Sequence, residues 1–118
     1  SQNWSENFAQ EFLSRRGYDL MPWLPVMTGL VMDSPKASEK VLRDVRETIA
    51  ELVHDIFYTE LHDRAASHGL GLSAECTAPT FPGDGMLHYD LTEFPMGEFW
   101  LRSPTHDKPK RALKKGSI

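Results

Sequence analysis

Ser38-Glu39-Lys40-Val41-Leu42-Arg43-Asp44-Val45-Arg46-Glu47-Thr48-Ile49-Ala50-Glu51-Leu52-Val53-His54-Asp55-Ile56-Phe57-Tyr58-Thr59-Glu60-Leu61-His62-Asp63-Arg64-Ala65-Ala66-Ser67-His68 is the stretch that decides the architecture of this 118-residue chain. Val41, Leu42, Val45, Ile49, Leu52, Val53, Ile56, Leu61 and Ala65 recur at helical spacing with a small drift, which reads as one long helix. At about 1.5 Å per residue it would span about 45 Å. Gly69 is its natural stop. The apolar stripe has two readings. It is the core face of a helix in a layered domain, or the seam of a helical hairpin or coiled coil. Under the second reading the protein is a non-catalytic interaction module.

Upstream, Asp33-Ser34-Pro35-Lys36-Ala37-Ser38 is polar punctuation rich in capping residues. Before it, Tyr18-Asp19-Leu20-Met21-Pro22-Trp23-Leu24-Pro25-Val26-Met27 is dense in large apolar groups and broken by two prolines. Proline there forbids a regular long helix, so the segment reads as a helical turn or irregular connector that must be buried. A first helix is expected from an N-cap at Ser5 to Arg16. Phe8 and Phe12 share one face, Ala9 and Leu13 widen it, and Gly17 stops it.

Downstream, Leu70-Gly71-Leu72-Ser73-Ala74-Glu75-Cys76 reads as a short buried strand, and Met86-Leu87-His88-Tyr89 as a possible second one. Between and beyond them the chain is loop-like, with Pro79, Pro82, Pro95, Gly83, Gly85 and Gly97. Helix, long helix, strand and polar loop in that order look like consecutive parts of an α/β layer structure. Glu75 would stand at a strand's carboxyl end, where α/β barrels place chemistry. A complete (β/α)8 barrel needs about 250 residues, so this chain supplies less than half of one. The apolar connector over 18–32 then lacks partners of its own.

Composition narrows the function classes. The formal net charge is −4, with 40% hydrophobic and 25% charged residues. That balance argues against a nucleic-acid partner, which needs a clustered basic surface. Lys108-Pro109-Lys110-Arg111 and Lys114-Lys115 do cluster, but read as a solvated tail over 108–118. No apolar run approaches the roughly 20 residues that cross a bilayer, so no membrane partner is expected. Cys76 is the single cysteine, which excludes an intrachain disulfide and a cysteine-based zinc site. No signal peptide is visible, and Ser1 in place of a start methionine reads as a segment of a longer or processed protein.

Chemistry concentrates near the end. Phe94-Pro95-Met96-Gly97-Glu98-Phe99-Trp100 sets one carboxylate between a glycine and two aromatic rings. Such rings stack on sugars and partly desolvate the carboxylate, which raises its pKa toward the range of a working acid or base. The plainer reading is a buried aromatic turn with a solvated or salt-bridged glutamate. Glu75, Asp84, Asp90, Glu93 and Glu98 lie in one loop-rich stretch. Paired carboxylates suit glycoside hydrolysis, and oxygen-rich clusters equally suit calcium. His54 and His62 read as helix-face histidines rather than metal ligands, since no HExxH occurs. His88 and His106 stand closer to the acidic loop. No phosphate loop, dinucleotide fingerprint or G-x-S-x-G is present.

Asn3-Trp4-Ser5, Phe8, Phe12, Arg15-Arg16-Gly17-Tyr18-Asp19-Leu20, Leu24-Pro25 and Gly29 resemble a block of the α-L-rhamnosidase-type glycoside hydrolases. Asp44-Val45-Arg46, Glu75, Gly83-Asp84-Gly85 and Pro95-Met96-Gly97-Glu98-Phe99-Trp100 follow in the same order. The family comprises large multidomain inverting enzymes with a catalytic (β/α)8 barrel and calcium in the site. The resemblance implies an α/β fold, a partial (β/α)8-barrel segment over 1–107, and hydrolysis of terminal α-L-rhamnosyl or similar deoxysugar linkages. It implies that Glu98 is a catalytic carboxylate or a calcium ligand, that Glu75, Asp84 and Trp100 belong to the substrate pocket, and that the parent enzyme is secreted or periplasmic. The general acid is expected before Ser1 and a further site glutamate beyond Trp100. The tail from Lys108 departs from the family, where a helix toward the next strand is expected. The expected partners are a carbohydrate substrate and the remainder of the barrel, with self-association of the segment alone.

Overall fold

The computed structural model describes residues 4–75, 83 and 85–97. They are mostly helical, with two short parallel strands. Helix α1 runs Phe8–Arg16, a 3-10 segment Met21–Thr28, α2 Pro35–Leu52, a π-helical segment Val53–Tyr58, and α3 Thr59–Ser67. Strand β1 (Ser73–Glu75), helix α4 (Gly85–Asp90) and strand β2 (Phe94–Met96) complete the order.

The core forms where α1 crosses the first half of α2. Phe8, Phe12, Leu20, Val41 and Val45 are buried together, and Tyr18, Trp23, Leu24, Ile49 and Leu52 pack around them. Each fully buried large side chain of this kind contributes about 1.5–3 kcal/mol by leaving water. Phe12 meets the Tyr18 ring edge-on at 5.0 Å between centroids. Phe8 and Phe12 are buried as their spacing predicts, but Leu13 faces solvent. The α1 cap also differs. The N-cap position is Asn7, and Ser5 enters through its carbonyl, which accepts from Phe8 N at 3.1 Å.

Six consecutive residues explain the joint between α1 and α2. Arg15 and Arg16 occupy the last turn of α1, where cations suit the helix dipole. Arg16 Nε donates to Thr48 Oγ1 at 2.9 Å, and its Nη2 lies 2.7 Å from Glu51 Oε1. Arg15 Nη1 donates to Asp55 Oδ2 at 2.8 Å and to Glu51 Oε2 at 3.2 Å. Gly17 then turns the chain at φ 78°, a left-handed conformation that suits glycine. The turn delivers Tyr18, whose hydroxyl donates to Asp44 Oδ2 at 2.8 Å. Asp19 Oδ1 accepts from Met21 N at 2.9 Å and opens the 3-10 segment, while Leu20 is fully buried.

Asp44 is itself buried and also pairs with Lys40, which sits over the Tyr18 ring. Burial works to raise the Asp44 pKa, yet hydrogen bonds from Lys40 and Tyr18 hold it below the usual carboxylate value. Burial and the bond to Asp44 push the Tyr18 hydroxyl well up.

The long helix begins three residues earlier than its apolar stripe suggests. Ser34 is the N-cap, accepting from Ala37 N at 3.2 Å, and Pro35 stands in the first turn. Ser38 is buried and ties the preceding loop down, accepting from Met32 N and donating to Met32 O. The drift in the stripe has a structural cause. Over Val53–Tyr58 the helix takes on π character, and the Thr59 N–H bonds back to His54 O. One extra residue in a turn rotates everything after it. Buried positions stop in the first half accordingly, and Ile56 and Leu61 are exposed. Gly69 ends the helix as expected at φ 69°, with Leu70 N bonded to Ala65 O and Gly69 N to Ala66 O.

Four further expectations need correction. The strand near 70–76 is Ser73–Glu75 only, and it is not buried: Ser73 and Glu75 are exposed. Its one described neighbour is β2, so neither residue is covered. Met86–Tyr89 belongs to helix α4, not a strand; four residues are too few to show a period, and Tyr58 packs edge-on at 4.1 Å against His88. Phe94-Pro95-Met96 is not a turn but strand β2. The connector is buried only in part: Leu20 and Val26 are enclosed, while Met21, Met27, Leu30 and Val31 are exposed.

Replacing Thr48 by valine keeps the shape but removes the acceptor of Arg16 Nε. Leaving a part-buried donor unpaired costs about 1–3 kcal/mol, so hydrogen exchange across α1 should accelerate by about tenfold or more. Arg43→Ala breaks only a solvent-exposed pair with Glu47 and should leave exchange nearly unchanged.

Candidate functional site

Strands β1 and β2 pair in parallel, with Ser73 opposite Phe94, Ala74 opposite Pro95 and Glu75 opposite Met96. Both strands therefore finish at one edge of the pair. Parallel strands need a crossover of a dozen or more residues, and α4 lies within this one. Glu75 is the last residue of β1 and is exposed at that carboxyl edge. The carboxyl ends of parallel strands are where α/β proteins gather reactive side chains, because loops of variable sequence start there from a fixed frame. Asp84, Glu98 and Trp100 lie outside the described residues, as does His106.

At the far side of β2, Tyr89 Oη donates to Met96 O at 2.7 Å and fixes the last strand residue to α4. Gly97 follows, its Cα facing the Tyr89 hydroxyl closely enough that an added Cβ would sit 3.7 Å from it. His88 is buried between Tyr58 and Tyr89.

At the amino-terminal side of the strands stands a group that spacing alone did not single out. The Glu93 carboxylate accepts from Leu72 N at 2.6 Å through Oε2, and its Oε1 lies 3.3 Å from His62 Nε2 on α3. His62 also meets Asp63 through Nδ1 at 3.1 Å. His62 is thus a bridge to the strands and not simply a solvated helix-face residue. The Leu72 amide holds the Glu93 pKa below its usual range, with His62 adding to the effect. Asp63, and after it Glu93, raise that of His62. No signal in the sequence joins positions 62, 72 and 93, because the contact is made by the fold. His54 pairs with the neighbouring Asp55 at 3.0 Å. Among the described residues no group of three or more His, Cys, Asp or Glu side chains could hold a metal ion, and no helix is long and apolar enough to cross a membrane.

The bridge has a defined pH window. Raising the His62 pKa adds stability that is complete below its ordinary value of 6.5 and is lost as pH rises through the raised value. Lowering that of Glu93 adds stability present above its ordinary 4.5 and lost as pH falls through the lowered value. Exchange protection of the Leu72 amide, corrected for intrinsic rate, should therefore peak between these two values. His62→Ala should flatten the alkaline side of the profile and leave the acidic side in place.

A family model described as alpha-L-rhamnosidase matches residues 1–117. A protein from Formosa agariphila titled "Putative beta-glucuronidase" is 34% identical over 110 residues, covering 92% of this chain and 9% of that protein. The solved rhamnosidase of Novosphingobium sp. PP1Y superposes with a TM-score of 0.74 at 30% identity, over 87% of this chain and 10% of that one. The chain thus spans about a tenth of the length of the relatives it matches.

Proposed function

This chain belongs to the alpha-L-rhamnosidase family of glycoside hydrolases, and on that premise we propose that it is a segment of a catalytic (β/α)8 barrel that hydrolyses terminal α-L-rhamnosyl or similar deoxysugar linkages. The observation that supports the reading best is the parallel β1–β2 pair, with Glu75 at its carboxyl edge and β2 ending two positions before Glu98 in sequence. Inverting hydrolysis uses one carboxylic acid to protonate the leaving oxygen and one carboxylate to activate water on the opposite face. The two stand about 6.5–9.5 Å apart. In this reading Glu98 supplies one carboxylate to the centre, Glu75 and Asp84 bind sugar hydroxyls, and the Trp100 ring stacks on the sugar. The partner carboxylate comes from elsewhere in the longer enzyme.

Glu98 as a calcium ligand is the competing role. Calcium takes six to eight oxygens, and in this role the Glu98 carboxylate would supply one or two of them. The remainder of the barrel would cover the apolar side chains of Met21, Met27, Leu30 and Val31, which are 44–65% exposed. Against the alternative of a helical interaction module stands the packing of α1 and the 3-10 segment on the apolar face of α2, while Ile56 and Leu61 further along the stripe are exposed.

A full-length enzyme carrying this segment should release nitrophenol from an aryl α-L-rhamnoside and leave an aryl β-D-glucuronide untouched. Preference for the glucuronide would sink the assignment of sugar. Glu98→Gln should cut turnover by at least about a hundredfold without unfolding the protein. Partial recovery in excess calcium would identify a ligand of the ion, and none would identify an acid or base. The 118-residue chain alone should show no turnover.

A further inference from the structure

The bridge at Glu93 lies at the opposite end of the strands from Glu75, and it joins the residues that lead into both strands to helix α3. Its carboxylate accepts the Leu72 amide at 2.6 Å, one residue before β1 begins. The backbone adds to this: Glu93 N and Phe94 N both donate to Leu72 O, at 3.1 and 3.2 Å. His62, at 3.3 Å from Glu93 Oε1, ties the junction to α3. The chain is tight here, since a Cβ on Gly71 would stand 2.8 Å from the Phe94 ring.

A strand three residues long has little of its own to hold its register. Each strand of the pair has only three residues and no buried one, so burial does little to choose between alignments. A slip of one residue moves a strand by about 3.3 Å and turns its side chains to the other face. We propose that Glu93 is a positioning residue: by clamping Leu72 and His62 it sets the register of β1 against β2, and so fixes Glu75 opposite Met96 at the carboxyl edge. The inference deepens the reading of the site given above and rests on it for its effect on turnover.

The test uses the full-length enzyme carrying this segment, with an aryl α-L-rhamnoside as substrate. Glu93→Ala should lower kcat by at least about tenfold with KM changed by less than about threefold, since a slip of the pair shifts the strand that leads two positions on to Glu98, and misplacing a reacting group by an ångström costs up to about a hundredfold. Glu93→Gln keeps an oxygen for the Leu72 amide and should recover kcat to within about threefold of the parent. The Leu72 and Ala74 amides should exchange at least about tenfold faster in the alanine variant and near the parental rate in the glutamine variant. If the alanine variant does not fold, Glu93→Asp keeps the charge but falls short by one methylene, and should lower kcat with KM held. A kcat within about twofold of the parent in the alanine variant, or in the aspartate variant where that is the one that folds, overturns the proposal. Should the parent not hydrolyse the rhamnoside at all, the functional reading fails separately. The exchange rates then decide the role of Glu93 alone, with unchanged rates at Leu72 and Ala74 counting against it.

Discussion

The joint between α1 and α2 closes on one buried hydroxyl, Thr48. It is fully enclosed, donates to Asp44 O at 2.7 Å one turn back, and accepts Arg16 Nε from the neighbouring helix. A charged guanidinium can be drawn against an apolar core only if its donors find acceptors. Thr48 accepts from Nε, and Glu47 and Glu51 at the rim balance the charge. With Arg16 held there, Gly17 can reverse the chain and Tyr18 can reach Asp44. The reversal in turn seats Leu20 and the 3-10 segment over Val41 and Val45.

The residues that carry the likeness to the family in this half are therefore the parts of a joint. Arg15 binds Asp55 and Arg16 binds Thr48, Gly17 turns, Tyr18 finds Asp44, Asp19 opens the next segment and Leu20 fills the core. None of the six stands at the carboxyl edge of the strands. The segment has two separate ends with different tasks. One is a packed helical joint, and the other is a short parallel pair whose edge holds Glu75.

Much of the helical architecture was legible because helices carry their own punctuation. Phe8 and Phe12, the stops at Gly17 and Gly69, and the long stripe from Val41 follow from local rules that the structure keeps. The strands and α4 were harder to read. Three-residue strands and a six-residue helix leave no period to detect, and parallel pairing is a contact between distant parts of the chain. Glu75 at a strand end was readable from the polar residue closing an apolar run. The ties of His62 to Glu93, and of Glu93 to Leu72, were not, since they span 31 and 21 positions and appear only once the helix and strands are placed.

The π segment ties these two ends together. Its additional residue shifts the azimuth of α3 by about 100°, the angle one residue subtends in an α-helix. Upstream of it the helix presents Val41, Val45 and Thr48 to α1; downstream it presents His62 to Glu93. A single regular helix has one fixed phase and would point these two sets in directions that differ from those observed. The insertion works as a phase shifter, letting one continuous rod serve two neighbours on different sides. Deleting one residue between Val53 and Tyr58 would restore ideal helical winding and raise local regularity. It would also turn His62 away from the strands, so the more regular helix would be the less useful one.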